Sequence, residues 1–267
     1  MKLTGRRIVG GRAAGEALAS PVPLSFVGGV DPATGEVLDE ATGCRGHRLG
    51  GRIFAFPHGR GSTVGSYVVY GLAKRGVGPA AILNTRAETI VAVGAILAGI
   101  PTVDGIDVGG ILTGDRLVVD ADAAEVDLPD LVAKPVVSAF LRSRGKILLV
   151  RRSEQVSTFA GRWSVISGYL EGDEDPRERA RLEIREETGI RGARFRSEGA
   201  PLLVRDRGAA FLVHPLLFDV PRTAVRLDWE NVEARWVRPD EIEGFDTVPR
   251  LQEAMRSVIF TPPPGRK

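Results

Sequence analysis

One cysteine, three histidines and three tryptophans in 267 residues leave few ways to build a site from soft ligands. Cys44 alone cannot form an intrachain disulfide, a cysteine-based zinc site or a full set of iron–sulfur ligands. His47, His58 and His214 lack the spacing of a zinc site and read as ordinary polar residues. Long apolar runs are also missing, and no stretch reaches the length needed to cross a bilayer. The N-terminal Met1-Lys2-Leu3-Thr4-Gly5-Arg6-Arg7 has basic residues with no apolar segment behind them, unlike a secretory signal. A formal charge of only +2, with no Lys/Arg block interleaved with aromatics, gives no reason to expect a nucleic-acid partner. These absences predict a cytoplasmic protein with neither membrane nor nucleic acid as a partner.

What is present is glycine and a regular apolar pattern. Thirty-three glycines alternate with Val/Ile/Leu runs, which points to tight turns and close backbone approaches. A hydrophobic share of 43% with 26% charged residues is that of a folded globular chain, long enough for two cores. Between Asp120 and Asp130 stand five acids and no base, with Pro129 inside the run and Pro135 after it. Such a stretch reads as a solvated linker, so the expected domains are residues 1–130 and 131–267. The Pro262–Pro264 tail is expected to fray.

The first half reads as β-rich and then β-α-β-α-β. The predicted elements are strand Ile53–Phe56, a turn at Gly59-Arg60-Gly61-Ser62, helix Thr63–Lys74, strand Ala80–Leu83, helix Glu88–Ala98 and strand Thr102–Val103. This alternation predicts a parallel core. The second half opens with a hairpin, Val136–Leu141 and Lys146–Arg151. Strand Trp163–Ile166, helix Asp175–Thr188, strands Pro201–Val204, Phe211–Phe218 and Glu233–Val237, and a helix from about Val248 to Val258 follow.

The stretch Gly168–Ile190, GYLEGDEDPRERARLEIREETGI, carries the most chemistry. Asp175 stands at an N-cap position, Pro176 at the first helical residue and Gly189 at the C-terminal stop. Glu183, Glu186 and Glu187 then share an arc of about 100° on one helix. Like charges so placed repel, more strongly when half-buried. A divalent cation removes that penalty, and ligands made only of oxygen suit Mg²⁺ or Mn²⁺. The competing reading is a surface helix whose glutamates pair with Arg177, Arg179, Arg181 and Arg185. Arg179, four residues before Glu183, has the spacing for it, whereas Leu182 and Glu183 lie four before Glu186 and Glu187. Arg151 and Arg152 read as phosphate contacts or as solvated, Phe159 and Trp163 as core or pocket wall, and Asp228-Trp229-Glu230 as a loop or a late acidic segment.

This stretch resembles the Nudix box, a glycine, five residues, a glutamate, seven residues, then Arg-Glu-apolar-any-Glu-Glu-any-Gly-apolar. Gly168, Glu174, Glu183, Ile184, Glu186, Glu187, Gly189 and Ile190 are in register. Leu182 stands where the family has an arginine that helps hold a catalytic glutamate, so another base such as Arg181 or Arg185 is expected to orient the site. The resemblance implies a Nudix α/β/α sandwich over residues 131–267 and hydrolysis of a nucleoside diphosphate derivative or similar diphosphate. Glu183, Glu186 and Glu187 would be the metal ligands. Glu183, Glu186 or a distal acid such as Glu230 would activate water.

In the first half, the glycine-rich turn from Phe56 to Thr63 ends a strand and opens a helix, where free N–H groups favour an anion. By position alone, Ser62 or Thr63 is a helix cap. Pro23-Leu24-Ser25-Phe26, Gly28-Gly29-Val30-Asp31-Pro32, Gly59-Arg60-Gly61-Ser62, Gly65-Ser66 and Gly94-Ala95-Ile96-Leu97-Ala98 with Ile100-Pro101 together resemble the aconitase X swivelling domain. Archaeal members of that family include the small subunit of phosphomevalonate dehydratase, which removes water from (R)-5-phosphomevalonate. The resemblance implies a swivelling β/β/α domain, Ser62 as proton acceptor, and Arg60, Gly61 and Thr63 as substrate contacts. It also implies a large dehydratase subunit carrying an iron–sulfur cluster, which Cys44 alone cannot hold.

The combined expectation is an α/β chain of two domains, a dehydratase small subunit fused to a Mg²⁺-dependent diphosphate hydrolase, acting on small-molecule phosphates or diphosphates. Two alternatives stay open. In one, the second half is a hydrolase of a nucleoside or prenyl diphosphate and the first half only a scaffold. In the other, the second half is a ligand sensor without catalysis.

Overall fold

A computed structural model describes residues 1–206, 208–221 and 224–259; the Pro262–Pro264 tail lies outside them. The chain divides into two compact units, Met1–Val132 and Ala133–Lys267.

In the first unit three strands precede any helix, β1 (Lys2–Thr4), β2 (Arg6–Val9) and β3 (Arg12–Ala19). A short helical turn α1 (Phe26–Gly29) leads to β4 (Ile53–Phe56), α2 (Val64–Lys74), β5 (Ala81–Asn84), α3 (Thr89–Ala98), β6 (Thr102–Asp104), β7 (Arg116–Asp120) and β8 (Glu125–Asp127). The strands form one sheet in the order β1-β8-β7-β3-β4-β5-β6-β2. Pairings β3–β4, β4–β5 and β5–β6 are parallel, as the alternation predicts. β4 and β5 are buried at every residue, the pattern of parallel strands covered on both faces. α2 and α3 pack closely because Gly94 has no side chain; a Cβ there would lie 2.9 Å from Val69 and 3.1 Å from the Ser66 carbonyl.

The acidic stretch departs from expectation. Glu125–Asp127 is not solvated linker but strand β8, antiparallel to β1 and β7, with Val126 and Leu128 buried. Strand geometry turns alternate residues to opposite faces, so Glu125 and Asp127 form the outward row of a sheet. Lys2 meets Glu125 at 3.0 Å.

The second unit opens with the hairpin β9 (Lys134–Ser143) and β10 (Lys146–Arg152), joined by Arg144 and Gly145, both at positive φ. That left-handed pair suits the twist of a two-residue hairpin loop. β11 (Trp163–Ser164), β12 (Ile166–Tyr169), α4 (Pro176–Thr188), β13 (Arg194–Glu198), β14 (Leu202–Asp206), β15 (Ala209–Asp219), β16 (Asn231–Val237) and α5 (Leu251–Ile259) follow. β15 runs parallel to β9. The predicted strand Trp163–Ile166 is two strands, β11 on β10 and β12 on β9. The last helix starts at Leu251 rather than Val248, after Arg250 at φ 61°.

Alternate residues of β9 build two cores. Phe140 packs with Leu251 and Met255 of α5 on one face. Val137, Ala139 and Leu141 pack with Ala180 and Ile184 of α4 on the other. Each fully buried Val, Leu, Ile, Phe or Met among them contributes about 1.5–3 kcal/mol. The result is the expected α/β/α sandwich.

Candidate active sites

Helix α4 begins where its caps dictate. The Asp175 carboxylate accepts the amides of Arg177 and Glu178, Pro176 opens the helix, and Gly189 ends it in the left-handed region. Ala180 and Ile184 seat it on the sheet, and that fixes where its carboxylates go. Glu183 lies over Gly168 of β12 so closely that a Cβ there would sit 2.1 Å from Oε1. Arg179 Nη1 donates to the same Oε1 at 3.4 Å. Glu187 is buried, and its carboxylate accepts the Ser167 amide at 3.2 Å and Asn231 Nδ2 at 2.7 Å.

Burial pushes the Glu187 carboxyl up to about 8, against the pull of those two donors. The Glu183 carboxyl is also raised, first by burial and then by the charges of Glu186 and Glu230, while Arg179 opposes the shift. Glu186 is exposed. Glu183 and Glu187 therefore sit against the sheet and Glu186 faces solvent. Among the described residues no three His, Cys, Asp or Glu side chains gather where they could hold an ion, so the predicted trio is not preassembled. Mutual repulsion favours this separation, with Arg179 and Asn231 each holding one inward glutamate. The donor set still suits a hard divalent cation. It is oxygen only, it includes a carboxyl whose ionisation a cation would favour, and Asn231 Oδ1 is buried with no hydrogen-bond partner.

Beside Glu183 and Gly168 lies a cavity of about 200 Å³, with Glu230 also on its wall. Phe159 and Phe211, with ring centroids 6.0 Å apart, and aliphatic residues including Val136 and Leu202 line it. Arg152 also faces it while its Nε donates to the Thr158 carbonyl at 3.0 Å. Arg151 pairs with Glu233 at 3.3 Å, and Trp163 belongs to the core. The Glu230 backbone is held at both ends, its amide by Asp228 at 3.1 Å and its carbonyl by the Ser153 amide at 2.7 Å. Sequence reasoning missed Asn231, which meets Glu187 across 44 positions; nothing in local spacing announces such a pair.

The loop after β4 in the first unit is built differently. Asn84 Nδ2 donates to the Phe56 carbonyl at 2.8 Å, the Arg86 amide to Pro57 at 3.0 Å and the Arg60 amide to Leu24 at 2.9 Å. Glu88 caps α3 by accepting the amides of Ile90 and Val91 and presses on Gly59, where a Cβ would lie 2.3 Å from its Oε1. This pinned base carries an exposed tip, Arg60, Gly61, Ser62 and Thr63. Arg60 is paired with Asp39 at 3.0 Å. Ser62 Oγ accepts the Val64 amide at 3.3 Å, a capping role, whereas the Thr63 side chain makes no cap bond. Among the described residues no carboxylate or imidazole is hydrogen-bonded to Ser62. Val64 and Tyr67, just beyond it, are 53% and 70% exposed. Cys44 is buried, its thiol against the Ala19 carbonyl. No helix among the described residues is long and apolar enough to cross a membrane.

A parallel-centred sheet with a pinned glycine loop, and a mixed sheet between two helices with inward glutamates, describe two known domain types. Residues 2–128 match the aconitase X swivel domain and residues 132–260 match the NUDIX domain. The chain belongs through its first unit to the aconitase X swivel-domain family, and its second unit is a NUDIX domain. The phosphomevalonate dehydratase small subunit of Thermococcus gammatolerans is 57% identical over 130 residues, 49% of this chain and 99% of that protein. The small subunit of Methanocaldococcus jannaschii is 53% identical over 128 residues, 48% of this chain and 98% of that protein. Among solved structures, aconitase X of Thermococcus kodakaraensis in its holo form aligns at 54% identity and a TM-score of 0.48, over 49% of this chain and 99% of that one. The MutT protein of Methanosarcina mazei aligns at 27% identity and a TM-score of 0.42, over 48% and 93%.

Proposed function

We propose that the second unit is a divalent-metal-dependent hydrolase of a small diphosphate, and that the first is the serine-bearing small subunit of a dehydratase completed by a larger partner. The observation that carries the hydrolase reading is the seat of Glu183 on Gly168, at the wall of a cavity that also holds Glu230. Mg²⁺ or Mn²⁺ held by Glu183, Glu186 and Glu187 would polarise a phosphoryl oxygen and offset charge on the leaving phosphate. Glu230, on the same cavity wall as Glu183, takes the proton of the attacking water. The cavity of about 200 Å³ is smaller than the roughly 300–1,000 Å³ of drug-sized sites. It therefore takes one ring or a short branched chain, and its Phe and aliphatic walls suit an apolar or flat group. A panel of nucleoside triphosphates, nucleoside diphosphate sugars and short prenyl diphosphates with Mg²⁺, run on wild type and Glu183→Gln, tests this. Turnover lost in the variant is expected; a wild type inactive on every member sinks the reading.

For the first unit the relatives named as phosphomevalonate dehydratase small subunits support (R)-5-phosphomevalonate as substrate and a large subunit as partner, in isoprenoid synthesis through mevalonate. Ser62, ionised to its alkoxide, takes the proton to become the neutral hydroxyl, and Arg60, released from Asp39, meets the phosphate. An iron–sulfur cluster in the partner would act as Lewis acid for the departing hydroxyl, since Cys44 is single and buried. Val64 and Tyr67, exposed next to Ser62, would lie on the face that meets the large subunit. Co-expression with a cluster-bearing large subunit tests this: wild type yields dehydration, the chain alone yields none, and a complex without activity overturns it.

A further inference from the structure

Where the NUDIX pattern has an arginine, this chain has Leu182. The neighbours expected to replace it are occupied otherwise or face away. Arg181 pairs with Glu178 and lies over the Phe218 ring, and Arg185 is exposed. Arg177 is engaged by Glu198 at 2.9 Å and by the Phe195 ring at 4.2 Å.

Arg179 differs from all three. Its side chain is 20% exposed, against 43% for Arg177 and 42% for Arg181. Its Nε donates to Glu174 Oε2 at 2.9 Å and its Nη1 to Glu183 Oε1 at 3.4 Å. Glu174 Oε2 also accepts the Glu171 amide at 3.3 Å, closing the loop before the helix. One guanidinium thus joins the loop, the helix and, through Glu183 lying on Gly168, strand β12.

Helix electrostatics alone would not put a cation there. Arg179 is the fourth residue of α4, near the end where the amide dipoles disfavour positive charge. An arginine four residues before a glutamate is also the weaker order for a helical pair. The position becomes favourable because two carboxylates meet the planar fork in a half-sheltered place, where charge-assisted bonds are stronger than on the open surface.

We infer that Arg179 replaces the missing box arginine as the positioning residue for Glu183, an inference that rests on the hydrolase reading. The test uses the full chain and four variants, Arg179→Ala, Arg179→Lys, the double Arg179→Ala/Leu182→Arg, and Arg181→Ala as control. Steady-state kinetics on a panel member that wild type turns over are paired with calorimetry of Mn²⁺ alone. Arg179→Ala is expected to lower kcat by about 10–100-fold with KM nearly unchanged, and to weaken Mn²⁺ binding by about tenfold. Leu182→Arg, three residues on and on the same helix face, restores most of both, and Arg181→Ala changes neither. If Arg179→Ala does not fold, Arg179→Lys carries the test, since it keeps the charge and loses the fork; a folded Lys variant with wild-type kcat overturns the inference. So does an Arg179→Ala protein with wild-type kcat and Mn²⁺ affinity, or a folded double variant without recovery. A wild type silent in both assays sinks the hydrolase reading instead.

Discussion

The two candidate sites differ in how much of the chemistry each holds. Around α4, inward carboxylates, their donors Arg179, Asn231 and the Ser167 amide, and a cavity wall all come from one unit. Around Ser62, the polypeptide supplies a rigidly anchored base and an exposed tip whose serine caps a helix and whose arginine is held by Asp39. A self-sufficient site buries its charged groups, because burial is what makes them reactive. A site waiting for a partner leaves them in water, where each is stable and inert. Under the proposed functions the first unit would be a component and the second an enzyme.

Separating the two activities is the strongest way to break that contrast. If Glu187 is a metal ligand as proposed, Glu187→Gln should lower Mg²⁺-dependent turnover by about 10³-fold, since losing such a ligand removes several kcal/mol of charge stabilisation. Dehydration by the complex with a large subunit should be untouched. Ser62→Ala should do the reverse, lowering dehydration by about 10²–10⁴-fold with hydrolysis intact. A single substitution that lowers both would show the sites to be coupled. A smaller effect is expected at the docking face. Tyr67→Asp, placing a charge on an exposed aromatic next to Ser62, should weaken association with the large subunit by roughly 10–100-fold, read by calorimetry; undiminished affinity removes this face from the interface.

Much of the second site and of both sheets is legible in the amino-acid sequence. The caps of α4, Asp175, Pro176 and Gly189, are local chemistry, and they fix the helix and the register of its glutamates. The hairpin at Arg144 and Gly145 and the parallel strands β4, β5 and β6 follow from equally local patterns. What escapes is non-local. The acids of β8 read as linker because one of the two strands that shelter Val126, β1 with Leu3, is 123 positions away. β13 (Arg194–Glu198) has no signal of its own because its partner β15, not its polar sequence, makes it a strand. Arg179 reads only as a surface ion pair, since nothing in the sequence says that the Glu174 loop folds back over the helix.

Asn231 and Glu187 allow the contrast to be sharpened without any substrate. The Glu187 carboxyl is pushed up to about 8 by burial, whereas in an unfolded chain it titrates near 4.5. Between those values the folded protein keeps a proton that the unfolded chain has released, so stability falls as pH rises. The slope is at most about 1.4 kcal/mol per pH unit. Metal-free protein should therefore melt a few degrees lower at pH 7 than at pH 5.5 for the second unit. Glu187→Gln, which keeps one of the two acceptor oxygens and has no proton to lose, should flatten that dependence. A divalent cation works in the opposite sense, because it binds the ionised form, so stabilisation of wild type by Mn²⁺ should grow across the same range and vanish in the variant. Equal pH slopes for wild type and Glu187→Gln, measured by calorimetric melting in chelator, would mean that the buried carboxyl is not held neutral and that the second site is no more self-contained than the first.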